Sequence, residues 1–135
     1  MLRNITLPVA VIGFQSVANK GIADIYYDPG GYVAARAQDI STTPAERIVG
    51  ICMSACTMEM LTGCVAPTAR LVFHLPNPDT PHWRDVMRHH YPDAIANWFA
   101  TLPAGSAPHE MIGAEAIRLG ARPCPTFGVY TKPAR

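Results

Sequence analysis

At 135 residues, with 49% apolar and 16% charged side chains, the chain has material for one buried core, 1–135 as a single domain, and is too apolar to be disordered. A formal net charge of +1 leaves no basic face for nucleic acid, and no apolar run reaches the length of an integral membrane span. Prolines crowd 76–81, 103–108 and the tail from about 122, which predicts irregular connections there.

In chain order, 5–14 (ITLPVAVIGF) and 22–27 (IADIYY) are β-branched and aromatic enough for strands. The first of these also fits a weak signal-peptide shape. Asp28-Pro29-Gly30-Gly31 is a turn, and Val33, Ala37 and Ile40 mark a short helix over 32–40. ERIVGIC (46–52) reads as a buried strand, after which Ser54 caps a helix over 55–63 closed by Gly63. ARLVFH (69–74) is the next strand. The apolar positions of 83–102 recur at helical spacing, with Pro92 starting a second helix. HEMIGAEAIRLGA (109–121) reads as a last helix, and 126–131 as a short strand.

Strands alternating with helices predict an α/β fold with a mainly parallel sheet and flanking helices, shortened at its N-terminus. In such sheets ligands sit at the carboxyl ends of strands. Gly30-Gly31, Ser54 and His74 each follow a predicted strand. A serine becomes a nucleophile when a histidine takes its proton and backbone N–H groups receive the developing oxyanion. Ser54 and His74 are therefore the candidate catalytic residues, with the amides of Gly31 and Ala55 as oxyanion donors. A bare helix cap and a strand-end histidine remain the alternative.

The segments DPGG (28–31), VGICMSAC (49–56) and RLVFHLP (70–76), in that order, resemble the Clp protease proteolytic subunit and its relatives in the ClpP/crotonase superfamily. Cysteines around the serine, the run from Cys64 to His74, and Tyr91-Pro92 followed by Trp98-Phe99 resemble a bacterial, ClpP-like, periplasmic subgroup. The resemblance implies a ClpP-like serine protease in which Ser54 attacks, His74 moves the proton, and no metal or other cofactor takes part. Its substrate would be a peptide or protein. It also implies a homo-oligomer assembled through helix 83–102. The family's aspartate falls near 104–109, which here reads AGSAPH, so Glu110, Asp79 or Asp85 would have to orient His74. An incomplete triad leaves a second reading, a catalytically idle scaffold for assembly or partner binding.

Four cysteines do not have zinc-site spacing, and the Cys-x-x-Cys of a redox motif is absent. Cys64 before the His74 strand and Cys124 after the closing helix are the expected disulfide. Cys52 and Cys56 are either small buried residues or a second bridge. Bridged cysteines imply a periplasmic or cell-envelope location, free ones the cytoplasm. His82, His89 and His90 read as a solvated helix face.

Overall fold

The computed structural model describes residues 23–125; the expected strands at 5–14 and 126–131, and the signal-peptide shape, lie outside the described residues. Five strands form one sheet: β1 (Ala23–Asp28), β2 (Glu46–Met53), β3 (Cys64–Val65), β4 (Arg70–Phe73) and β5 (His109–Ile112). The order is β1-β2-β4-β5, with β3 also on β2. β1, β3 and β4 all run parallel to β2, and β5 runs antiparallel to β4. The chain is thus mixed α/β with a mostly parallel sheet.

Register explains why β3 and β4 are separate strands rather than one. β1 occupies one edge of β2 along its length, while Arg47 and Ile48 pair with Cys64 and Val65, and Ile51–Met53 pair with Arg70–Val72. The two short strands therefore share the other edge of β2 in tandem. Between them the chain leaves the sheet through Ala66-Pro67, where proline supplies no ladder donor.

The core is built from alternating inward residues. Ile48, Val65, Leu71 and Phe73 are fully buried, as are Met58 and Met60. Three helices pack around it: α1 (Val33–Thr42), α2 (Pro81–Arg88) and α3 (Asp93–Ala100), with α4 (Gly113–Arg118) beside β3 and β5. The expected helical stretch 83–102 is two helices, broken at 89–92 where Pro92 lacks an N–H. Thr80 caps the first, its hydroxyl accepting from the Trp83 N–H at 3.2 Å. Phe73 lies edge-on to Tyr91 at 5.5 Å and to Trp98 at 5.2 Å. Phe99, with no exposed surface, belongs to this intramolecular cluster.

Two expectations are corrected. The helix expected over 55–63 is a 3-10 helix, Ser54–Met60, in which Ser54 is the first helical residue and Met53, not Ser54, occupies the cap position. The helix expected over 109–121 begins only at Gly113, because His109-Glu110-Met111-Ile112 alternates half-buried and exposed residues and pairs along β4. No helix among the described residues is long and apolar enough to cross a membrane.

Candidate active site

Parallel pairing brings three strand ends to one sheet edge. Asp28, ending β1, is level with Cys52; Met53, ending β2, is level with Val72 of β4. Gly30-Gly31, Ser54 and His74 follow those ends directly. β5 enters from the same edge, since His109 pairs with Phe73, so the AGSAPH segment arrives beside His74. One cavity of about 470 Å³ at this edge is lined by Gly31, Ser54 and His74. Its remaining wall is mostly apolar, with Val33, Leu75, Pro76, Pro78 and Trp83.

The local backbone around Ser54 is unusual. Its φ is +54°, the left-handed region, and among the described residues it is the one non-glycine with positive φ. The turn joins the end of β2 to the 3-10 helix, and Ser54 lines the cavity at that point. Gly30 (φ +99°) lies against this turn: a Cβ there would stand 2.7 Å from both the Met53 carbonyl oxygen and Ser54 Cβ. Only glycine satisfies both that conformation and that approach. At Gly31 (φ +146°) a Cβ would meet nothing within 4 Å, and the residue lines the cavity. The Ala55 amide is near the same turn, 3.3 Å from where a Gly30 Cβ would be.

Two further contacts hold the turn. Cys52 and Cys56 are joined by a disulfide that encloses Ser54 in a five-residue loop, and both residues are fully buried. The Thr57 hydroxyl donates to the Ser54 carbonyl at 2.7 Å and also lies 2.7 Å from Tyr91 Oη. A threonine has one hydroxyl proton and a carbonyl can only accept, so Tyr91 is the donor to Thr57. Burial raises the Tyr91 pKa well above that of an ordinary phenol, which keeps this proton in place. Tyr91→Phe retains the ring stack on Phe73 and Phe99 but removes that donor. It should lower unfolding stability by about 1 kcal/mol, read from urea denaturation. An unchanged midpoint would show that the bond contributes nothing.

An ion cluster lies behind the glycine turn. Arg36 of α1 grips Asp28 through both carboxylate oxygens, at 3.0 and 2.9 Å, and donates to Glu59 at 3.1 Å. Asp28 also accepts the Gly30 N–H at 2.8 Å. Burial raises the Glu59 carboxyl above its ordinary value against the opposing bond from Arg36, and the charges of Glu46 and Asp28 raise it further. Burial opposes the charge of Arg36, but its bonds to Asp28 and Glu59 outweigh that and hold its pKa above the usual one.

The carboxylates expected to orient His74 are engaged elsewhere. Glu110 is forked by Arg70 at 2.8 and 2.9 Å, and Asp79 by Arg84 at 2.6 and 2.7 Å; those bonds hold both pKa values below the ordinary carboxylate range. Asp85 pairs with Arg88. In the segment beside His74, Ser106 Oγ and His109 Nε2 are buried without a hydrogen-bond partner among the described residues. The second disulfide joins Cys64 and Cys124, neither of which lines the serine cavity. Among the described residues no group of three or more His, Cys, Asp or Glu is placed to hold a metal ion.

The candidate residues Ser54, His74 and Gly31 line one cavity, whereas Arg36, Thr57 and Tyr91, which brace the turn, are not among the sequence candidates. Glu59 was the available signal for Arg36, since a lone carboxylate within the apolar CTMEML requires a cation once buried. Comparison of the chain with protein-family models and with curated proteins found no match.

Proposed function

We propose that the chain is a ClpP-like serine hydrolase acting on peptide bonds through a Ser54–His74 dyad. The observation that supports it best is the shared cavity: a serine at positive φ, a histidine and a glycine turn, all at the carboxyl edge of a parallel sheet. In this reading Ser54 Oγ attacks the scissile carbonyl while His74 takes its proton. The amides of Gly31 and Ala55 receive the oxyanion, and His74 then returns the proton to the leaving amine. Water, deprotonated by the same histidine, releases the acyl group. The apolar wall from Val33 to Trp83 favours an uncharged side chain next to the scissile bond. Two disulfides favour an oxidising, extracytoplasmic setting.

A fluorophosphonate probe with peptide mapping tests the assignment. The wild type should be labelled on Ser54, Ser54→Ala should take no label, and His74→Ala should be labelled at least about 100-fold more slowly. Equal labelling of wild type and Ser54→Ala would sink the reading. The second reading is a catalytically idle scaffold. It is favoured by the engagement of Glu110 and Asp79 with arginines, which leaves His74 without a carboxylate partner among the described residues. Absence of label on a folded wild type would select it.

A further inference from the structure

We propose that Arg36 is a positioning residue for the oxyanion site, a role that rests on the hydrolase reading above. Its guanidinium closes a circuit of contacts around the glycine turn. Its Nη2 donates to both oxygens of Asp28, and its Nη1 donates to Glu59. Asp28 in turn accepts the Gly30 N–H, and Gly30 packs against Ser54 Cβ. Glu59 belongs to the same 3-10 helix that Ser54 opens. Arg36 therefore ties the two segments that bear the proposed donors, Gly31 on one and Ala55 on the other, to a single rigid group.

The circuit is shielded, with side-chain exposure of 14% for Arg36, 22% for Asp28 and 7% for Glu59. A planar guanidinium that holds two carboxylates from two of its nitrogens fixes direction as well as distance, which a lysine ammonium does not. An oxyanion site depends on that fixity, because donors work when they are already aimed at the place where charge develops. Glycine turns are free to swing, and nothing in Gly30-Gly31 itself selects the orientation that faces Ser54. The bonds through Asp28 supply the selection. Arg36 does not touch the reacting atoms and acts through the backbone it holds.

The test compares wild type, Arg36→Gln, Arg36→Lys and Asp28→Asn by fluorophosphonate inactivation, well below each protein's thermal midpoint. The maximal rate is separated from the half-saturating probe concentration. Arg36→Gln should lower the maximal rate at least about 10-fold, since a displaced donor forfeits part of the roughly 100-fold that one donor supplies, and should leave half-saturation unchanged. Arg36→Lys should restore only part of that rate. Asp28→Asn keeps an oxygen for Gly30 but loses the charge and the second oxygen that Arg36 holds, so it should show the same split should Arg36→Gln fail to fold. Amide exchange at Gly30, protected in the wild type and exposed in Arg36→Gln, reads the geometry directly. An unchanged maximal rate in Arg36→Gln and Asp28→Asn, beside a labelled wild type, overturns the positioning role and leaves the hydrolase reading standing. An unlabelled wild type removes both.

Discussion

Ser54→Gly is expected to give a protein that is more stable than the wild type and takes no fluorophosphonate label. A non-glycine residue in the left-handed region costs roughly 1–2 kcal/mol from the clash of Cβ with the backbone. Ser54 carries that cost at φ +54°. Glycine removes it, and its greater freedom in the unfolded chain takes back about 0.5–1 kcal/mol. The net gain is about 1 kcal/mol, or roughly 4 °C in the thermal midpoint for a chain of this size. Ser54→Ala is the necessary companion. It also lacks the nucleophile but keeps Cβ, so it should be equally inert without being stabilised. The pair separates the hydroxyl from the strain. If Ser54→Gly melts at or below the wild-type temperature, the turn is not under tension, and the case for a backbone held open for chemistry weakens with it.

How much of this was legible beforehand follows from what each feature depends on. The turn at Asp28–Gly31, the strand Glu46–Met53 and the strand ending before His74 rest on local patterns, and the sequence carries them in full. The pairing of Cys64 with Cys124 was also readable, because each lies next to an element whose neighbour was already expected. The positive φ at Ser54 was not. It is imposed from outside, by Gly30 packed on one side and the Cys52–Cys56 bridge closing the loop. HEMI was misread because four residues ahead of a true helix fit its periodicity, while their strand character depends on the free edge of β4 and on Arg70 reaching Glu110. Arg36 was invisible for a related reason. On a short helix it looks like any solvent-facing charge, and its partner Glu59 is 23 residues away. The missing orienting carboxylate is a different matter, since AGSAPH showed its absence directly and the fold brings that very segment to the His74 edge.

The largest stability effect should come from the bridge farthest from the chemistry. In the chain-entropy account, a disulfide's contribution grows with the loop it closes. Cys64–Cys124 spans a separation of 60 residues, which corresponds to about 4 kcal/mol, whereas Cys52–Cys56 spans 4 and corresponds to about 2 kcal/mol. Against a total of roughly 5–15 kcal/mol for a folded domain, the first is a substantial share. Other contacts that hold 121–125 are the buried Ala121, whose N–H donates to the Ala116 carbonyl at 2.9 Å, the Val65 N–H to the Arg122 carbonyl at 2.8 Å, the Cys124 N–H to the Val65 carbonyl at 3.0 Å, and Arg122 Nη2 to the Thr62 carbonyl at 3.5 Å. Cys64→Ser/Cys124→Ser should therefore unfold at markedly lower urea than the wild type. It should still be labelled on Ser54 at the wild-type rate while folded, because neither cysteine lines the serine cavity. Cys52→Ser/Cys56→Ser should behave in the opposite way, with the smaller loss of stability and the larger loss of labelling, since Ser54 lies inside that loop. Urea midpoints and labelling rates measured on both double variants check the contrast. Equal effects of the two on labelling would mean that the five-residue loop does not hold the nucleophile in place.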